Sequence, residues 1–447
     1  DTKENKKKIN ITVSDKENKQ SNIKLAKKEY KTDCVVIGGG ASGMMASIVA
    51  ARAGVAVTVL EHTKRLGNKL LQTGNGKCNF TNLNMDETMY QNKDTKWVMD
   101  VINRFNVDAV LDFFKGIGIY HKEKNGYVYP LSMTASSLQN ALRLELENKK
   151  VCIHTNVIIK NVVKLSADMK DKFLIECEGI DYIADTVVFA TGSKAAPKTG
   201  SDGSGYELIK KLGIKVIKPL PALVQLIGDE KELYRIAAGV RSQGKIEIYI
   251  DGIKISEDTG EIQYTDYGIS GIPVFQISRY AVKALYEKKD VHVCIDMLPD
   301  IDDKEMEYIL SYMVKQEGYK TVEQFFEGIV NKKLVTMVSR KCNIDAASRV
   351  SELKISKLQK LLENMKHFNV HIVDNKGFEN GQICQGGVDL KAVSSSDMQS
   401  LRVAGVFFAG EVLDVDGRCG GYNLQWAWSS GKAAADGVRH YIKERCR

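Results

Sequence analysis

One strand, turn, helix and strand near the N-terminus constrains this chain more than any other feature. Asp33-Cys-Val-Val-Ile37 is a short apolar run, and Gly38, Gly40 and Gly43 spell G-x-G-x-x-G. An Ala- and Met-rich stretch follows from Met44 to Ala53, then Gly54 and the run Val55-Ala-Val-Thr-Val-Leu-Glu61. In such a unit the first glycine permits a tight turn and the second lets backbone N–H groups approach a pyrophosphate. The third lets helix and strand pack closely, and Ala41 and Ser42 open a helix whose N-terminus favours the phosphates. Glu61 closes the second strand 18 residues beyond Gly43, where an acid accepts hydrogen bonds from a ribose. These residues predict an α/β chain that binds a dinucleotide.

The next segment selects the dinucleotide. After His62, the stretch Leu66-Gly-Asn-Lys-Leu-Leu-Gln-Thr-Gly-Asn-Gly-Lys-Cys-Asn-Phe-Thr-Asn82 is long and rich in Gly, Asn and Lys, unlike the short turn into a helix of a plain NAD domain. In two-dinucleotide-type flavoproteins such a stretch runs under FAD toward the flavin ring. Gly67, Lys69, Gly74, Gly76, Cys78 and Asn79 are therefore expected at the cofactor, with His62 beside the ribose acid. Strand-like runs recur at 151–154, 157–159, 173–176 and 186–190; the last leads into Thr191-Gly192. Val157, Thr191 and Gly192 join the expected FAD contacts. No second strand with G-x-G-x-x-G is present, so NAD(P)H is expected to dock transiently as electron donor.

From about residue 196 to 380 the character changes. Lys245-Ile-Glu-Ile-Tyr-Ile250 followed by Asp251-Gly252 alternates like a hairpin arm, and Ala222-Leu-Val-Gln-Leu-Ile227 suggests a small β-rich module. Residues 274–288 and 301–365 carry apolar residues at helical spacing. The closing signal is Gly405-Val-Phe-Phe-Ala-Gly-Glu-Val-Leu-Asp-Val-Asp-Gly-Arg-Cys-Gly-Gly-Tyr-Asn-Leu-Gln-Trp-Ala-Trp428. It reads as a strand, a Gly/Asp loop and a helix from about Leu424 to Tyr441. The helix N-terminus would stabilise charge that collects on a reduced flavin. Gly410, Glu411, Asp416, Gly421, Tyr422, Asn423 and Leu424 are the expected contacts there.

Charge and cysteines narrow the setting. The net charge of +8 is concentrated in residues 1–31, with ten Lys against five acids, and the remainder has 54 basic and 51 acidic residues. With no basic stripe and interleaved aromatics, nucleic acid is not expected as a partner. No stretch approaches the roughly 18 apolar residues of a membrane span, and the Lys- and Asn-rich run at 1–31 lacks the apolar stretch of a secretory signal, so neither is expected. The nine Cys are scattered without a C-x-x-C pair, which argues against a disulfide framework, a zinc site and a dithiol pair. The reading is a cytoplasmic protein with reduced thiols.

The motifs Gly38–Gly43, Gly74-Asn-Gly-Lys-Cys-Asn-Phe-Thr-Asn82, Tyr264-Thr-Asp-Tyr-Gly-Ile-Ser-Gly271, Gly386-Gly-Val-Asp389 and Gly410-Glu-Val-Leu-Asp-Val-Asp-Gly417, with Gly420-Gly-Tyr-Asn-Leu-Gln425, resemble the BaiN-like (YhiN-like) NAD(P)/FAD-dependent oxidoreductases. They fall in order along nearly all of residues 32–437. Members usually have Gly-Gly-Arg-Cys-Asn where Gly74-Asn-Gly-Lys-Cys-Asn79 stands here, and Thr in place of Cys419. The resemblance implies an FAD-binding Rossmann-type domain of the two-dinucleotide-binding class, interrupted by a β-barrel module and a helical module. The corresponding boundaries are a flexible basic tail at 1–31, a first FAD part at 32–195 and a barrel at 196–272 with 366–385. A helical insert at 273–365 and a closing FAD part at 386–447 complete the chain. It also implies reduction of a C=C bond conjugated to a carbonyl, a 3-oxo-Δ4 steroid or bile-acid type among the candidates.

Such a reaction needs an acid for the α-carbon and a donor for the carbonyl oxygen. Tyr267 in Thr265-Asp-Tyr-Gly268, Cys78 and His121 are the candidates, each with a packing role as the competing reading. Arg418 could bind a substrate carboxylate. Among the seven His no pair shows metal-ligand spacing, and His367 and His371 lie on a strand-like run that would hold them apart, so no metal is expected. The alternatives are a flavoprotein sensor or assembly partner without turnover, and an FAD-dependent RNA-modifying enzyme.

Overall fold

The computed structural model describes residues 28–165 and 172–445. A seven-stranded sheet forms the base. Four parallel strands run in the order Cys152–His154, Val57–Leu60, Lys28–Ile37 and Ile180–Phe189. Val57–Leu60 and the last four residues of Lys28–Ile37 are buried throughout, as parallel strands covered on both faces must be. The first half of Ile180–Phe189 pairs with the antiparallel hairpin Ile159–Lys164 and Phe173–Cys177, while its end takes Val406–Phe408 in parallel. The closing segment thus returns to the sheet beside the strand that leads to Thr191. Helix Ala41–Arg52 packs against the C-terminal helix Tyr422–Arg445.

Two expectations shift here. The tail reading over residues 1–27 lies outside the described residues, but residues 28–31 are already strand, in register with Ile180–Ile183. Their polar side chains stay exposed, because ladder hydrogen bonds need only backbone. The short run at 157–159 precedes its strand, which spans Ile159–Lys164.

The inserted module is a closed barrel of six strands: Leu226–Gly228, Gly268–Gly271, Ile253–Tyr264, Arg241–Ile250, Val291–Asp296 and Phe368–Asn375. The hairpin read from Lys245–Ile250 is present, with Ile253–Tyr264 as its second arm. Val291–Asp296 lies inside the span expected to be helical. Val291, Val293 and Ile295 point into the barrel core and alternate with partly exposed residues. The helices between Asp303 and Lys366 leave from this strand and return through Phe368–Asn375. Helix Ile272–Tyr286 packs on the barrel and on the ribbon of Val216–Ala222 with Ile383–Val388.

Candidate functional site

A cavity of about 1210 Å³ opens at the C-terminal end of strand Lys28–Ile37. The chain next places Val57–Leu60 on one side of this strand, and Ile180–Phe189 lies on the other. That reversal is where doubly wound sheets bind ligands.

The dinucleotide end is built from backbone. Gly38 has φ +103, and a Cβ there would lie 2.4 Å from the Ala190 carbonyl oxygen. A Cβ on Gly43 would lie 1.9 Å from the Gly38 carbonyl oxygen, so helix and turn touch backbone to backbone. Gly40 is the opposite case: a Cβ there meets nothing within 4 Å. It precedes helix Ala41–Arg52 without any side-chain cap, which leaves first-turn N–H groups for an anion. Glu61, 8% exposed, accepts hydrogen bonds from the backbone N–H of Gly39 and of Thr63, both at 2.8 Å. Thr191 Oγ1 on the opposite wall is buried without a partner.

Of the residues expected at the cofactor, Gly38, Gly40, Ala41, Ser42, Glu61, His62, Gly67, Lys69, Gly74, Asn79, Val157, Thr191, Gly192, Glu411, Gly421, Asn423 and Leu424 line this cavity. Lys69 reaches Glu411 at 2.6 Å, and Ser193 Oγ donates to the same carboxylate at 3.0 Å. Three distant segments meet in that contact. Gly43, Gly76, Cys78, Gly410, Asp416 and Tyr422 are not on the cavity wall. Gly410 instead donates its N–H to Ser430. Asp416 is buried and binds Arg279 through both carboxylate oxygens, at 2.6 and 3.2 Å. Burial pushes its carboxyl up to about 6, with Arg279 drawing it back down.

Beyond the dinucleotide end the cavity continues between the FAD domain and the barrel module, where Leu223, Ile272, Phe275 and Ile383 give it an apolar side. Tyr127 and Tyr129 face it from one side of the short strand Tyr127–Pro130, while Val128 and Pro130 point into the core. Cys419 completes this wall. Burial raises the pKa of all three, the thiol to about 11, so each keeps its proton near neutrality. Gln276 holds the Cys419 backbone by two hydrogen bonds, accepting from its N–H at 3.1 Å and donating to its carbonyl at 3.3 Å.

The residues first considered for proton transfer lie elsewhere. Cys78 is fully buried, with its thiol pushed up to about 12. Tyr267 sits at the barrel rim with the Lys376 ammonium 3.9 Å from its ring centroid. His121 is exposed on the edge strand His121–Lys124. Arg418 is engaged by Asp258 at 2.5 Å. Tyr127 and Tyr129 were readable only as alternation in Tyr127-Val-Tyr129, a signal too short to assign a face.

The fold and this backbone-built site define an FAD-binding Rossmann flavoprotein: open space at Gly40, an uncapped helix N-terminus and an anchored acid at Glu61 all fit the cofactor. The chain belongs to the HI0933-like family, whose description is HI0933-like protein Rossmann domain and which matches residues 32–437. This agrees with the BaiN-like resemblance. The chain is similar to the 3-dehydro-bile acid delta(4,6)-reductase of Clostridium scindens, 41% identical over 401 residues, covering 89% of this chain and 97% of the relative. It is also similar to the ribosomal RNA dihydrouridine synthases of Haemophilus influenzae and Escherichia coli, each 28% identical, covering 90% of this chain and 97% of each relative. Among solved structures, 3-ketosteroid-delta4-(5alpha)-dehydrogenase from Rhodococcus jostii matches with TM-score 0.48 and 17% identity, covering 94% of this chain and 99% of that one. Among the described residues no helix is long and apolar enough to cross a membrane. The chain is an FAD-dependent oxidoreductase.

Proposed function

We propose that this protein takes hydride from NAD(P)H and saturates a C=C bond conjugated to a carbonyl in a small, largely apolar molecule, with a 3-oxo-Δ4 steroid acid as the leading substrate class. The observation that carries this reading is the continuation of the cavity past the dinucleotide end into an apolar chamber with Tyr127, Tyr129 and Cys419 on its wall. The relatives' names support the same chemistry. A 3-dehydro-bile acid with Δ4,6 unsaturation is a conjugated ketone, and dihydrouridine is uridine with the double bond next to its C4 carbonyl saturated.

Bound FAD supplies hydride acceptance and donation. The chain supplies the rest. Leu223, Ile272 and Phe275 exclude water from the reacting carbons. A phenol of Tyr127 or Tyr129 gives the α-carbon its proton and regains one from solvent, so one C=C becomes CH–CH while NAD(P)H becomes NAD(P)⁺. Cys34, Cys78, Cys342 and Cys384 are buried cysteines outside any disulfide, which suits a reducing compartment such as the cytoplasm.

The test is anaerobic. Bleaching of the visible flavin band by NADH or NADPH, then recovery with a 3-oxo-Δ4 steroid acid or a simpler enone, is the expected result. Recovery only with uridine-containing ribosomal RNA would replace this reading with the one the two synthase relatives favour. Absence of bleaching by either nucleotide would overturn the proposed donor.

A further inference from the structure

On the outside of the barrel, away from the cavity, four side chains converge from three segments. His292 on strand Val291–Asp296 and His371 on strand Phe368–Asn375 are directly paired across the antiparallel ladder. Their rings stack with centroids 4.7 Å apart and planes 25° apart. Asp290 stands at the foot of the first strand. One of its carboxylate oxygens is 3.1 Å from His292 Nε2 and the other 3.2 Å from His371 Nε2. Asp229, just past strand Leu226–Gly228, is 2.8 Å from His371 Nδ1.

The roles of the two aspartates differ. Asp229 occupies the hydrogen-bonding position at Nδ1 of His371, which orients the ring and leaves Nε2 as the nitrogen turned toward Asp290. His371 Nε2 thus faces the place where His292 Nε2 and the Asp290 carboxylate already meet. A carboxylate behind a histidine whose other nitrogen faces further ligands is the usual outer support of a metal-bound imidazole. The ligand atoms of Asp290, His292 and His371 all lie within 4.8 Å of one another. The nearby cation Lys341 is held by Glu230 at 2.6 Å and by the Asn369 carbonyl at 2.9 Å, so it does not fill the place of a metal.

We propose that Asp290, His292 and His371 form a binding site for a zinc-like divalent transition metal, with Asp229 as its positioning residue. Two imidazoles and one carboxylate suit Zn²⁺ and leave a fourth position for water. Asp290 and His292 belong to one segment and His371 to a distant one, so spacing within the sequence does not bring the three together. The helical insert leaves the barrel after Asp296 and returns at Phe368, and Ile295 pairs with Phe368 three positions from the histidine pair. A bound ion therefore staples the two strands from which that insert hangs.

The experiment is calorimetric titration of the chelator-treated, FAD-loaded full chain with Zn²⁺, together with its melting temperature. One saturable ion per chain and a Tm that rises with Zn²⁺ are expected. His371→Ala and His292→Ala should each weaken binding at least about tenfold, and Asp229→Asn by about 10- to 100-fold, all with unchanged FAD content. Absence of a saturable site, or binding that survives His371→Ala and is thus held by cysteines or other groups, would overturn the proposal. Unchanged affinity in Asp229→Asn would overturn the positioning role.

Discussion

Gly40 and Gly43 stand three residues apart in one motif and do different work. A Cβ on Gly40 would meet nothing within 4 Å, whereas one on Gly43 is closed on the backbone of Gly38. Gly40→Val should therefore fold normally, with the circular dichroism and Tm of the parent, and purify without flavin absorbance. Gly43→Val must move backbone and should lose about 1–3 kcal/mol or more by overpacking, seen as a lower urea midpoint even before cofactor is added. Full flavin content in Gly40→Val would show that the pyrophosphate lies elsewhere. The tight turn at Gly38 and the close packing at Gly43 were legible in the sequence because backbone geometry is tied to the missing side chain. The roles of Tyr127, Tyr129 and Cys419 were not, because a tyrosine in a two-residue alternation and a cysteine in a loop acquire meaning only from what faces them.

Between elements, the loop after Gly410 is tied to the barrel module by polar clamps. Arg279 holds Asp416, Asp258 holds Arg418 and Gln276 holds the Cys419 backbone. Residues 137 positions apart form the first of these, so no local pattern announces it; Asp416 read from sequence as a cofactor contact is a structural anchor. Asp416→Asn leaves the largely buried Arg279 uncompensated and should cost about 3–5 kcal/mol, while pairing Asp416→Leu with Arg279→Met should restore most of that stability. Chemical denaturation of Asp416→Leu, of Arg279→Met and of the variant that carries both reads the coupling directly. Additive losses would show that the clamp contributes nothing as a pair. The strand Val291–Asp296 shows the same limit at element scale. Its alternation of Val291, Val293 and Ile295 was present, but six residues between two helical stretches carry little weight until the neighbouring strands supply their ladders.

At the scale of the molecule the described residues form two large cores rather than one. The first gathers residues from Cys34 to Ile214 and from Val388 to Val438, and the second runs from Leu226 to Ile372 within the inserted module. The order of segments was legible because the chain signals the opening and the closing of the FAD domain with distinct glycine-rich motifs. The separateness of the cores is a property of packing alone. The dinucleotide end of the cavity is formed chiefly by the first core's segments, so FAD should stabilise that core by RT ln(1 + [L]/Kd) and reach the second only through the polar clamps. Calorimetric scans at increasing FAD should then show one transition moving upward with cofactor while another moves less. In the Asp416→Asn variant the two should separate further, as a broken clamp passes on less of the linkage. A single transition that shifts as a whole, in the parent and the variant alike, would mean that the two cores unfold as one cooperative unit and that their interface carries more of the stability than the clamps do.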